Sequence, residues 1–155
     1  MPFETPPEGV EEGSVVFCWE DVQFDLPAEE LLKAWLLAVA AAENAPVLEL
    51  TYIFTSDEYL RQVNVQYLQH DDYTDVITFP YTPGAAHGDV FISIERVRDN
   101  AQQYGVPFEH ELCRVMVHGL LHLAGYTDET EDEQATMRQK EDEYLRQNPL
   151  IASSV

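Results

Sequence analysis

The sequence predicts an α+β fold: one domain with a small mixed four-stranded sheet packed by helices, and a metal site on the central helix. Three observations lead there. Four β-rich runs are spaced so that the first two alternate with helical stretches, while the third and fourth follow one another across a Pro/Gly loop. The second half of the chain is helical in pattern. Its most apolar helical run carries two histidines four residues apart. A length of 155 residues fits one domain. A domain of that size buries about 68–70% of its unfolded surface, so no staple is required.

Residues 1–13 are rich in Pro, Glu and Gly and read as a mobile acidic tail, leaving 14–147 as the domain and 148–155 as a frayed C-terminus. Val15–Trp19 reads as a strand. Asp25 is placed to cap a helix whose apolar stripe is Leu31, Leu32, Trp35, Leu36 and Val39, ending near Asn44 and Pro46. Val47–Phe54 alternates as a second strand. Thr55–Glu58 has the spacing of a capping box, opening a helix with Leu60, Val63, Asn64 and Tyr67. After a loop at Asp71–Tyr73, a third strand covers Asp75–Phe79 and stops at Pro80; a fourth covers Gly88–Ser93. Helices are expected at Glu95–Tyr104, Phe108–Ala124 and Glu129–Arg146. No internal repeat is visible.

The chemistry concentrates in the run from His118 to Asp128. At about 100° per residue, His118 and His122 share one helix face, with Cβ atoms roughly 5–6 Å apart. That suits one ion about 2.0–2.1 Å from each imidazole nitrogen. Gly125 can take the left-handed conformation that ends a helix, and the reversal lets Asp128 return its carboxylate to the pair. Two imidazoles and a carboxylate with a fourth position open describe a catalytic metal site, not a closed structural one. The competing explanation of the pair is two packed, hydrogen-bonded core histidines. Cys113, five residues before His118 and about 140° around the helix, is off the ligand face.

The formal charge is −21, from 29 acidic and 8 basic residues. This balance argues against electrostatic binding of nucleic acid, DNA above all. It fits either a salt-loving host, where a Debye length of about 3 Å near 1 M salt screens self-repulsion, or a merely acidic surface. Cys18 and Cys113 read as free thiols in a reducing cytoplasm. The start of the chain has no signal-peptide pattern, and no apolar run is long enough to span a membrane.

Three blocks stand in order: Thr74-Asp75-Val76-Ile77-Thr78-Phe79, Gly88-Asp89-Val90-Phe91-Ile92-Ser93, and His118 to Asp128. Together they resemble the YbeY endoribonuclease family, whose hallmark reads H-G-x-L-H-L-x-G-Y-D-H. The resemblance covers roughly residues 14–147, and the histidine block is its specific part. It implies that one zinc ion is held by His118 and His122, with Asp128 where the family has a third histidine and Thr127 where the family has Asp. It also implies work on ribosomal RNA in maturing the small ribosomal subunit and clearing defective ribosomes. A second departure is Leu68, in Asn64-Val65-Gln66-Tyr67-Leu68, where the family usually has arginine. His70 and Arg114 are the candidate replacements for a phosphate contact. Against these roles, the favoured reading of His70 is an exposed loop residue, and that of Arg114 the partner of a carboxylate such as Glu111 in its own helix.

Zinc at such a site would acidify a water toward a pKa of about 7 and neutralise phosphate charge; water and the ribose 2′-hydroxyl both remain open as nucleophile. Asp75 is the candidate for orienting a ligand or moving a proton, with satisfaction of loop amides as its other role. Asp89 reads as a turn residue. The rival class is a metallopeptidase, because H-x-x-x-H-x-x-G-x-x-D has metzincin spacing. Those enzymes need a glutamate after the first histidine, where this chain has Gly119. A zinc-stabilised ribosome-associated factor without turnover is a third reading.

Overall fold

The computed structural model describes residues 13–152. The expected tail at 1–13 lies, apart from Gly13, outside the described residues, as do 153–155. The four strands are β1 (Ser14–Trp19), β2 (Val47–Thr55), β3 (Val76–Pro80) and β4 (Ala86–Ser93), arranged β1-β2-β4-β3. β1 runs parallel to β2, and β2 to β4; β3 pairs antiparallel with β4, Val76 opposite Ile92 and Pro80 opposite Gly88. The sheet is therefore mixed, as expected. The parallel connections carry the crossover helices α1 (Glu29–Ala42) and α2 (Asp57–Val63). The remaining helices are α3 (Ile94–Tyr104), α4 (Phe108–Leu123), α5 (Glu131–Arg146) and α6 (Pro149–Ala152).

Alternation along the strands divides the core. Val90 and Ile92 of β4, with Leu50, Tyr52 and Phe54 of β2, join the large cluster beneath α1, α4 and α5. Ile77, opposite Phe91, turns to the other face and packs with Leu60 and Val63 of α2. α4 is the central buried element: Leu112, Val115, Met116, Leu120 and Leu121 are all nearly inaccessible. The Tyr52 hydroxyl donates to the Met116 carbonyl at 2.8 Å, fastening α4 to β2.

Several element ends differ from expectation. Asp25 does not cap α1: the helix begins at Glu29 after Ala28, which is left-handed at φ 51° and makes no side-chain cap. Burial of Leu26 draws the chain into the core before the helix can start. Ser56, not Thr55, caps α2, accepting from the Tyr59 N–H, while the Thr55 hydroxyl bonds the Ile92 carbonyl. α2 then widens into a π-turn at Asn64–Leu68, which leaves Tyr67 and Leu68 exposed. Asp89 is not a turn residue. It lies within β4 opposite Phe79 and accepts from the Tyr81 hydroxyl. At the other end Asn148 is fully buried, and its side-chain oxygen accepts from the Leu150 and Ile151 N–H groups. The chain there forms α6 where the sequence suggests fraying.

Candidate metal centre

α4 follows Pro107, whose extended backbone sets the helix start. Gly119 faces β4 so closely that a Cβ there would come within 2.7 Å of a Val90 methyl. The helix thus seats on the sheet with Gly119 underneath and the histidines along its edge. His118 and His122 are partly exposed, with side chains 20% and 25% accessible and ring centroids 4.7 Å apart.

α4 ends as its sequence implies. Gly125 takes φ 115°, its N–H donates to the His122 carbonyl, and the Tyr126 N–H donates to the Leu121 carbonyl. These two bonds form a Schellman motif, which requires the positive φ that glycine adopts freely. The chain reverses, and Asp128 returns to the helix. One carboxylate oxygen lies 3.6 Å from His118 Nε2 and the other 3.5 Å from His122 Nε2. The three donor atoms all fall within 4.8 Å of one another. Two ligand atoms bound tetrahedrally at about 2.0–2.1 Å from one ion lie about 3.3–3.4 Å apart. The observed separations are close to that, so these residues fit a divalent ion. The Asp128 carbonyl is held by the Gln134 side-chain amide at 3.0 Å. Thr130 and Glu133 then open α5 with a reciprocal capping box.

The surroundings of His118 were not legible in the sequence. Its Nδ1 lies 2.7 Å from Glu141 of α5, a buried carboxylate. A carboxylate accepts, so Nδ1 carries the proton and Nε2 keeps its lone pair, the atom that could bind a metal, on the side of Asp128. Burial lowers the His118 pKa, but Glu141, Asp128 and Asp75 outweigh it and leave it raised. Arg114 donates to Glu141 at 2.9 Å and to Asp142 at 2.7 Å. Its carboxylate partners are therefore on α5, not Glu111 in its own helix.

A cavity of about 680 Å³ opens beside this centre, and Asp75, Glu111, Arg114, His118, Asp128 and Glu141 line it. Asp75 just precedes β3; its side chain accepts from Asn100 of α3 at 3.4 Å, and its carbonyl accepts the Ser93 N–H. Burial raises the Asp75 pKa against the opposing pull of His118. Burial likewise pushes Glu111 up to about 7. His70 is exposed beyond the π-turn and does not line the cavity; its N–H caps the Asn64 carbonyl. The sequence pointed to Glu111 only as a partner for Arg114, and did not single out Glu141. Glu111 could have been found one heptad before His118, on the same stripe.

A family model described as Endoribonuclease YbeY matches residues 16–148. The chain belongs to the YbeY endoribonuclease family. An Endoribonuclease YbeY from Flavobacterium psychrophilum is 48% identical over 127 residues, covering 81% of this chain and 91% of that one. Another from Cytophaga hutchinsonii is 48% identical over 138 residues, 88% and 96% of the two chains. The solution structure of a Thermotoga maritima protein aligns with a TM-score of 0.63 at 28% identity, over 86% of this chain and 87% of that one. Among the described residues no helix is long and apolar enough to cross a membrane.

Proposed function

We propose that this chain is a zinc-dependent endoribonuclease that cuts single-stranded RNA. It would act in the cytoplasm on ribosomal RNA, in small-subunit maturation and ribosome quality control. The observation that carries the reading is the convergence of His118, His122 and Asp128 at spacings suited to one ion. Membership of a family whose relatives bear the name Endoribonuclease YbeY supports the reaction class.

His118, His122 and Asp128 are the ligands in this reading. Zinc held by these residues would supply Lewis acidity for phosphodiester cleavage. Glu141 holds the His118 ring in the tautomer that frees Nε2, and Arg114 holds Glu141. Asp75 takes the proton from the attacking hydroxyl. It lines the same cavity as His118, and its burial raises its basicity above that of an ordinary aspartate. Arg114 is a poor phosphate ligand because two carboxylates already occupy it. His70, exposed and outside the cavity lining, is given no role in this reading.

The peptidase alternative lacks its base for a geometric reason. Position 119 faces Val90, so a side chain there would enter the sheet interface. The test is incubation of purified, zinc-replete protein with single-stranded RNA and with casein, alongside elemental analysis. RNA shortening, one zinc per chain and loss of both in His122→Ala support the reading. Intact RNA, or cleavage that survives His122→Ala, overturns it.

A further inference from the structure

A chain of formal charge −21 must still attract a phosphate backbone to its metal centre. The cavity beside that centre adds five carboxylates: Asp75, Glu111, Asp128, Glu131 and Glu141. Most of the protein's cations are already committed. Arg61, Arg96, Arg114 and Lys140 sit in ion pairs, while Lys33 and Arg98 lie over aromatic rings. Arg138 differs. It is exposed, it lines the cavity, and among the described residues it forms no ion pair. Its charge reaches Glu111 in the same cavity. It projects from the stripe of α5 that also brings Gln134 and Glu141 to the cavity, at the three- and four-residue spacing of one helix face.

α3 contributes Asn100 and Tyr104 to the same cavity, one turn apart. Tyr104 is 57% exposed, and among the described residues its ring stacks on no other aromatic. An exposed ring and a free cation lining one cavity are the pairing that recurs where single strands bind: a cation tracks the backbone and an aromatic takes a base face. A paired base cannot offer that face. The cavity, about 680 Å³, is in the range that holds a small organic ligand.

We propose that the groove between α3 and α5 is a single-strand track, in which Arg138 holds a backbone phosphate and Tyr104 stacks an unpaired base next to the metal centre. The inference rests on the ribonuclease reading and deepens it, because it locates the source of the single-strand preference. Both side chains act on binding, so their removal raises KM far more than it lowers kcat.

The test is binding of a fluorescent, nuclease-resistant 2′-O-methyl phosphorothioate strand to the zinc-loaded full chain at several salt concentrations. Cleavage kinetics on an unmodified strand run in parallel. Arg138→Ala weakens binding roughly tenfold, and the slope of log K against log salt shrinks by about 0.7, the share of one single-strand phosphate. Tyr104→Ala also weakens binding roughly tenfold but leaves the slope unchanged. Arg138→Lys and Tyr104→Phe recover most of the loss. Arg146→Ala, an exposed arginine on the same helix outside the cavity, changes neither quantity. Thermal melts confirm that each variant is folded. Wild-type affinity, slope and KM in Arg138→Ala or Tyr104→Ala overturn the track while leaving the ribonuclease intact. A wild-type chain that neither binds nor cuts RNA removes both.

Discussion

His118 and His122 lie one turn apart on α4 and face the same carboxylate, yet they are held differently. His118 is fixed by a chain of partners: its Nδ1 meets Glu141, Glu141 meets Arg114, and Arg114 also meets Asp142. His122 approaches Asp128 at 3.5 Å and the His118 ring at 4.7 Å, and among the described residues its ring makes no hydrogen bond. One histidine is oriented before any ion arrives. The other has no such anchor among the described residues. The difference teaches that a ligand pair symmetrical in sequence is asymmetrical in stiffness, and that the stiff half is built by α5.

The comparison can be broken outright at the loose side. His122→Ala removes one of three ligands without disturbing the Glu141 network. Elemental analysis is then expected to find no stoichiometric zinc, RNA cleavage falls to background, and the melting temperature of metal-free protein barely moves. The stiff side responds by degree. Glu141→Gln keeps the shape but loses the charge, so zinc affinity drops about 10–100-fold, measured by competition with a chelator, and cleavage returns at high zinc. An unchanged zinc affinity would mean that His118 needs no orienter. The seat of the helix comes next. Gly119→Ala forces a methyl into Val90 and costs about 2 kcal/mol in urea unfolding, with zinc affinity of the folded fraction preserved.

The effect that touches the metal ligands least is a pH dependence at Glu111. Burial raises its pKa from 4.5 to about 7. Between those values the folded chain keeps a proton that the unfolded chain releases, so stability falls as pH rises through the window. Glu111→Gln lacks that titration. Relative to the native chain, it should gain about 3 kcal/mol between pH 4 and pH 8 in chelator-treated samples. A constant difference across that range would show that Glu111 titrates normally.

What the sequence made legible was local. The strand blocks, the helical spacing of His118 and His122, and the Gly125 reversal that returns Asp128 all depend on residues close along the chain, and periodicity or turn chemistry encodes them. The α+β class followed from their order. What stayed hidden depends on packing between distant segments. Glu141 is one acid among many in the α5 run Glu131–Arg146, and only the docking of α5 onto α4 buries it. Arg114 has Glu111 three residues away, yet α5 supplies two better-placed carboxylates. Asp25 has the chemistry of a cap, but Ala28 breaks the backbone before the helix starts.

Glu43 closes α1 well away from the metal ligands in sequence, and it gathers three groups: the Tyr126 hydroxyl at 2.7 Å, the Tyr144 hydroxyl, and the Lys140 ammonium at 3.2 Å. Burial alone would raise its pKa, but these partners prevail and hold it low. Tyr126 belongs to the bend that delivers Asp128, and Tyr144 and Lys140 belong to the helix that delivers Glu141. A single carboxylate thus acts as the latch for both segments that frame the candidate metal centre. Damage at position 43 would therefore surface first as leakage of metal from an otherwise intact fold, a defect that inspection of the catalytic groove alone would never trace to its origin.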